Sequence, residues 1–545
     1  MVWQIRPHAD IVPLRSKISH AMPSTALPAK PTILIVTPEI TYLPPGMGNM
    51  AQRTSAKAGG LADVSASLVS ALFELGADVH VAMPNYRRMF NRNVFDHHEQ
   101  QLEKYSKVLP DTHIHLAEDR IFYYRERVYS ASSDESMRIA LAFQREVINH
   151  IIPRVQPDLI HCNDWMTALI PAAARRLGIK SLFTVHNIHT RQVTLEEMEN
   201  IGIDAAEFWM NLYFTGAPRG YDHARSQVPV DLLASGIFGA HFINTVSPRF
   251  LWEIVEGWHS VVPDPVRAEL RHKYAAHCAA GILNAPDPSY NPATDDALPA
   301  NFSAPDFRPG KAANKLALQR ELQLTEDPDA AIFFWPSRLD PVQKGPQLLT
   351  DILHRVVSDY WNRNLQIVVV ANGPHESHFH HIVDAFNLHD RVAVTDFDER
   401  LSRLAYAGSD YMLMPSLFEP CGLPQMTAPL YGTLPVVHAT GGLYDTIHPL
   451  DVDRSTGNGF RFDHYSTTSL RWAMNRAMDF HALPQDIRDR EISRIMRESL
   501  VEFNHEAVAK QYIAIYEEML ARPLVEKVAG AKPAPADEPA ATLLP

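Results

Sequence analysis

Short β-branched runs alternate with helix-length stretches in two separate series along this chain, and no other feature limits its fold as tightly. The first series contains residues 32–38 (TILIVTP), 79–83 (VHVAM), 158–162, 182–186 (LFTVH) and 242–246. An amphipathic stretch at 61–75 follows the first run. Such runs, bounded by turn formers, read as buried strands. Strands separated by helices pair in parallel and are covered on both faces. The pattern breaks between about 254 and 328, where a Pro- and Asp-rich loop (284–305) precedes a helical run at 311–322. A second series then follows at 332–335, 366–371, 392–395, 411–414 and 435–438. This predicts an α/β fold of two Rossmann-like domains in tandem. Such domains bind ligands beyond the carboxyl ends of their strands, so the cleft between them is the expected site. The expected division is a flexible leader (1–31), a first domain (32–320), a second domain (321–515), and a helix end with a disordered Ala/Pro tail (516–545).

Composition narrows the function classes. No run approaches the ~18 apolar residues of a membrane span. Lys plus Arg is 50 and Asp plus Glu is 63, a net charge of −13, which argues against a nucleic-acid partner. Cys162, Cys278 and Cys421 give an odd count without close spacing, so neither a disulfide framework nor a cysteine zinc site is expected. This usage suits a reducing compartment such as the cytoplasm. The first thirty residues lack the apolar core of a secretory signal. Against 41 prolines there are only 24 glycines, so the glycine pairs stand out.

Lys57, Gly59 and Gly60 precede the first helical stretch. Two glycines let backbone N–H groups approach a ligand, and the helix aims its positive end at an anion. Taken alone, an ordinary glycine turn before a helix is the simpler reading of the pair. Arg338 and Lys344 lie just past the strand 332–335, placed to straddle a diphosphate or simply to be solvated. Glu419 sits between Phe418 and Pro420 after the strand 411–414. It could meet sugar hydroxyls or a developing positive charge, or cap the next helix. Cys421 reads as a small buried residue. Gly441 and Gly442, after Thr440, repeat the strand–Gly–Gly–helix device. Asp164 and His186 end strands of the first series and could face sugar hydroxyls. His97–His98 and His380–His381 point to opposite sides of any regular element and read as solvated. HExxH or comparable metal-ligand spacing is absent, so no metal is expected.

In order, KAGGLADV, HCNDW, VHN, NTVSP, GILN, NPATD, GKAANK, SRLDPVQKG, LMPSLFEPCGLPQ, YGTLPVV and TGGLYDT resemble the bacterial glycogen synthase and plant starch synthase family. The likeness runs from about residue 32 to 516. It implies the GT-B architecture, two Rossmann-like domains facing each other across a deep cleft. It also implies retaining transfer of glucose from a nucleotide-glucose, with ADP-glucose expected, to the non-reducing end of an α-1,4-glucan. No cofactor or metal is implied. By motif, Lys57, Gly59 and Gly60 would hold the donor's phosphate or nucleotide side. Arg338 and Lys344 would neutralise the diphosphate. Glu419 would be the leading catalytic carboxylate, with Asp164 and His186 lining the sugar pocket. Cys421, Gly422, Leu423, Thr440, Gly441 and Gly442 would complete the donor site. The alternatives are another donor such as UDP-glucose, a non-glucan acceptor, or a glucan-binding regulatory homologue.

The chain departs from the family pattern at several points. Ala58 replaces a threonine in KTGG, and Met166 a histidine after DW. Residues 188–192 (IHTRQ) replace a Y-Q-G segment, and Ala234 a lysine. GILNAPD stands for GILNGID, and Leu417 replaces the arginine of PSRFEPCG. The segment 39–57 is longer than usual and could act as a mobile lid, and the 338–344 loop is one residue longer. Most changes fall in the first domain, which in the family receives the acceptor and part of the donor sugar.

Overall fold

The computed structural model describes residues 30–51, 53–90, 112–130 and 132–525. The leader up to residue 29, the His97–His98 pair and the tail from residue 526 lie outside the described residues.

Two parallel sheets organise the described residues. The first runs β3-β2-β1-β4-β5-β8-β9. Its strands are β1 (Thr32–Val36), β2 (Asp78–Pro84), β3 (Ile114–Ala117), β4 (Leu159–Asn163), β5 (Lys180–Val185), β8 (Phe242–Thr245) and β9 (Ala279–Gly281). A small antiparallel pair, β6 (Gln192–Val193) with β7 (Val230–Asp231), lies in the β5–β8 connection. The second sheet runs β12-β11-β10-β13-β14-β15. Its strands are β10 (Ile332–Trp335), β11 (Gln366–Val370), β12 (Val392–Thr395), β13 (Tyr411–Met414), β14 (Leu434–His438) and β15 (Phe460–Phe462). In each sheet the order reverses beside the first strand, between β1 and β4 and between β10 and β13. Those switch points open a crevice at the strand carboxyl ends.

Burial explains why the runs read so clearly. Phe333 and Trp335 pack into the core on one face of β10, while Ile332 and Phe334 pack into the core on the other. A strand covered on both faces needs apolar residues at every position. β3, β9 and β15 escaped the sequence reading because IHLA, AAG and FRF are short and poor in β-branched residues.

Three expectations are corrected by packing. The helix Phe307–Glu321 belongs to the second domain, upstream of the expected break at 320/321. Lys311 Nζ donates to Tyr431 O (3.1 Å) and Thr433 Oγ1 (2.8 Å), Lys315 pairs with Asp410 at 2.7 Å, and Phe307 and Leu318 share a core with Phe334. Conversely, the helix His505–Leu520 returns to the first domain. There Tyr516 OH lies 2.7 Å from His161 Nδ1, and Asn244 Nδ2 donates to Tyr512 OH at 2.7 Å. These partners are far apart in sequence, so no local pattern announces them. Finally, the long 39–57 segment is anchored rather than lid-like. Ile40 and Ala56 form a backbone bridge, and Leu43, Met47 and Met50 are buried.

Candidate active site

The carboxyl ends of β1, β4 and β5 meet those of β10 and β13 around one cavity of about 910 Å³. Glu39, Asp164 and His186 contribute from the first domain, and Arg338, Lys344 and Glu419 from the second.

On the second-domain side, Lys344 Nζ lies 2.5 Å from Glu419 Oε2, and Ser416 Oγ donates to the same oxygen at 3.1 Å. Both side chains are largely buried, at 13% and 6% exposure. A glycine makes this pairing possible. Gly345 has φ +72°, and a Cβ there would sit 2.4 Å from Pro415 O. Only a residue without a side chain lets the Lys344 turn lie directly on the loop that carries Glu419. Arg338 is exposed in the wall, and its side chain makes no hydrogen bond or ion pair among the described residues. The result is one carboxylate, one paired cation and one unengaged guanidinium at a single sheet end.

On the first-domain side, Asp164 is a buried, positive-φ residue (φ 60°, ψ 177°). A non-glycine residue held there is strained, a condition found mainly at functional sites. Its Oδ1 accepts the His186 amide at 2.9 Å, and its Oδ2 accepts Asn187 Nδ2 at 3.2 Å. Asp164 thereby fixes the turn that carries His186. His186 Nε2 donates to Asn163 Oδ1 at 2.9 Å, which leaves Nδ1 as an acceptor. Burial pushes the His186 pKa down to about 3, so the ring is neutral. A neutral ring with a free Nδ1 can accept a hydroxyl proton from a sugar.

Burial also raises the Asp164 pKa from 3.8 to about 7, with amide hydrogen bonds opposing the shift and the Glu39 charge adding to it. Between roughly pH 4 and 7 the folded state therefore binds this proton more tightly than the unfolded chain, and stability falls as pH rises. Asp164→Asn carries no such penalty. Its unfolding free energy relative to wild type should improve by about 3 kcal/mol between pH 4.5 and 7.5, read by denaturant titration at both pH values. A difference that stays constant with pH would show that Asp164 is already ionised at pH 5.

The glycine pairs are placed differently from expectation. The Ala58 and Gly59 amides both donate to Glu39 Oε2, at 2.5 and 3.1 Å, so a carboxylate of the protein occupies the place assigned to a phosphate. Tyr129 OH donates to the other Glu39 oxygen at 3.1 Å. Ala58, Gly59, Gly60 and Leu61 all line the cavity, the last two in the first turn of the helix Gly60–Glu74. Lys57 lies off the wall, 3.0 Å from Asp63. Thr440, Gly441 and Gly442 lie behind it. The Gly441 amide donates to Glu253 (3.1 Å), Thr440 Oγ1 donates to the same carboxylate (3.1 Å), and the Gly442 amide donates to Glu419 O (3.0 Å). A Cβ on Gly441 would fall 1.9 Å from Glu419 O, and one on Gly442 2.0 Å from Cys421 O. This glycine pair lets a helix abut the Glu419 loop and hold it in place. Cys421, Gly422 and Leu423 do line the cavity. Burial pushes the Cys421 thiol up to about 12, so it packs as an inert thiol.

Sequence reasoning missed Glu39, Tyr129, Asn163, Asn187 and Glu253. Glu39 carried the one usable signal, an acid directly beyond the first strand. The long segment between it and the glycines hid their pairing. Glu253 belongs to the first-domain helix Pro248–Glu256 but binds the second domain. Arg249 Nε pairs with its carboxylate at 2.9 Å, and His259 Nε2 donates to it at 2.8 Å.

Comparison with known proteins bears on this geometry. Residues 32–262 match the family model described as the starch synthase catalytic domain, and residues 320–494 match glycosyl transferases group 1. The chain is 34% identical over 491 residues to a glycogen synthase of Exiguobacterium sibiricum, covering 84% of this chain and 95% of that one. The chain belongs to the glycogen synthase and starch synthase family. A glycogen synthase of Thermotoga maritima is 32% identical over 495 residues, covering 86% of this chain and 97% of that one. Among solved structures, the catalytic domain of starch synthase IV from Arabidopsis thaliana, bound to ADP and acarbose, superposes with a TM-score of 0.72. It is 25% identical, covering 91% of this chain and all of that one. The facing sheets are thus a GT-B pair, and the protein is a hexosyltransferase that transfers glucosyl groups. No helix among the described residues is long and apolar enough to cross a membrane. Of the departures from the family pattern, Ala58 and Met166 line the transferase cavity, Ala234 is buried behind a helix start, and Leu417 is exposed.

Proposed function

We propose that this transferase moves glucose from ADP-glucose to the 4-hydroxyl at the non-reducing end of an α-1,4-glucan, with retention of configuration. The observation that carries this reading is the Lys344–Glu419 pair at 2.5 Å beside an unengaged Arg338, facing Asp164 and His186 across one cavity. A departing nucleoside diphosphate is a weak base and needs little proton donation. It needs charge neutralisation, which preorganised cations supply. Arg338 and Lys344 are placed for that. Glu419, fixed by Lys344 and Ser416, is placed to face the donor glucose, where positive charge develops at the anomeric carbon. His186 Nδ1 accepts a donor-sugar hydroxyl, and Asp164 positions His186. The first-turn amides at Gly60 and Leu61 face the phosphate side.

The names of the relatives support the glucan acceptor, and the ADP and acarbose in the Arabidopsis structure support an adenine nucleotide and a glucan-like chain. The experiment compares ADP-glucose with UDP-glucose at saturating maltooligosaccharide, measuring nucleotide release and chain extension together. ADP-glucose should be favoured in kcat/KM by at least ~10-fold, a difference of about 1.4 kcal/mol in transition-state binding. A preference for UDP-glucose would overturn the donor assignment.

A further inference from the structure

A cluster of histidines lies at the other end of the first sheet, away from the strand carboxyl ends that build the active site. β2 opens with Asp78-Val79-His80, and β3 is entered through His113-Ile114-His115. Side chains two apart on a strand share a face. The β2–β3 register pairs Ala82 with His115 and Val81 with Ile114, which sets His113 beside His80. Asp78, His80, His113 and His115 therefore lie on one face of two neighbouring strands.

The atoms converge as ligands would. Asp78 Oδ1 is 3.4 Å from His80 Nε2 and 3.4 Å from His113 Nε2, and the three atoms lie within 4.8 Å of one another. Bonds of ~2.0–2.1 Å to a tetrahedral zinc ion place ligand atoms about 3.3–3.4 Å apart, so two of the three edges already fit. The outer atoms of each group are also held. His80 Nδ1 pairs with His115 Nε2 at 2.9 Å, His113 Nδ1 with Thr112 Oγ1 at 3.0 Å, and Asp78 Oδ2 accepts Thr32 Oγ1 at 2.6 Å. Ligating imidazoles and carboxylates are oriented by just such second partners. All three groups are partly exposed, at 15%, 30% and 31% for His80, His113 and Asp78, which leaves a fourth position open to water.

We propose that Asp78, His80 and His113 form a binding site for a zinc-class divalent ion, which ties the start of edge strand β3 to β2 and β1. Two imidazoles and a carboxylate are a set that suits zinc better than magnesium or calcium. Because the site sits at the amino ends of the strands, it acts on this edge and not on glucosyl transfer.

The test uses the full chain, stripped with a chelator and titrated with zinc chloride against a chromophoric competitor. Wild type should bind one ion that is weakened at least ~100-fold by His80→Ala and by Asp78→Asn, the latter keeping the hydrogen bond to Thr32. His115→Gln, a positioning change, should weaken it ~10–100-fold. His380→Ala should leave it unchanged, since that exposed residue lies beside Glu376 on a helix of the second domain. Cobalt in place of zinc should give the intense visible bands of a four-coordinate ion in wild type and lose them in Asp78→Asn. Zinc uptake equal in wild type and in Asp78→Asn, or no uptake by wild type at micromolar zinc, overturns the site and leaves these residues as His–Asp contacts only. Transfer activity measured on the same samples reports that each variant is folded.

Discussion

Replacing Glu419 by alanine will lower glucosyl transfer by about 10³-fold or more, because in the proposed reaction its carboxylate acts chiefly on the charge that develops in the transition state. That corresponds to about 4 kcal/mol of lost transition-state stabilisation. Its side chain is almost fully buried, bound to Lys344 at 2.5 Å and Ser416 at 3.1 Å, and fixed by the helix start at Gly441–Gly442. No neighbouring carboxylate can swing into its place: Asp164 and Glu39 are both tied to backbone amides across the cavity. Alanine also leaves the Lys344 charge without its partner. Breaking a buried pair costs about 3–5 kcal/mol of stability, so Glu419→Gln, which keeps the volume, is the cleaner variant. It should lose transfer while keeping ADP affinity, since a bound diphosphate replaces the missing negative charge beside Lys344. Transfer within tenfold of wild type in either variant would remove Glu419 from the chemistry.

The second large effect separates Lys344 from Arg338. Lys344→Ala should lower kcat/KM by about 10²–10³-fold, through loss of diphosphate neutralisation. It should also destabilise the protein, because Glu419 is then left buried and unpaired. Arg338→Ala should weaken ADP binding by about 10-fold, the size of one charge-assisted contact, with no change in thermal midpoint, because the Arg338 side chain makes no hydrogen bond or ion pair among the described residues. Calorimetry with ADP and a melting curve on each variant distinguish the two. Unchanged ADP affinity in both variants would mean that the diphosphate lies elsewhere in the cavity.

Much of the fold was legible because its central strands are buried on both faces. IFFW, QIVVV and YMLM admit no reading as a helix face, and each falls within a residue or so of its expected place. Edge strands such as β3 and β15 were lost because they need fewer apolar residues. The domain borders were misplaced because they rest on contacts between residues distant in sequence, such as Lys311 with the 431–433 turn and Tyr516 with His161. Arg338, Lys344, Glu419, Asp164 and His186, each read from its place just past a strand, do line one cavity. The glycine pairs divide for a physical reason: Gly59 and Gly60 stay on the cavity wall, while Gly441 and Gly442 pack behind it. Glycine before a helix marks close approach by something, and sequence cannot say whether that is a ligand or the protein's own backbone and carboxylates. Here the carboxyl groups of Glu39 and Glu253 accept the Gly59 and Gly441 amides. The low count of glycines signalled tight packing as much as ligand binding.

One assay decides whether this cavity makes glucan. The purified chain is incubated with ADP-glucose carrying a labelled glucosyl group and a maltooligosaccharide blocked at its reducing end, and both products are followed by mass and by the configuration of the new linkage. One ADP should be released for each glucosyl residue added, every new bond should be α-1,4 at the non-reducing end, and Glu419→Gln should produce neither. ADP release without chain growth, or growth through a β linkage, would refute the proposed reaction.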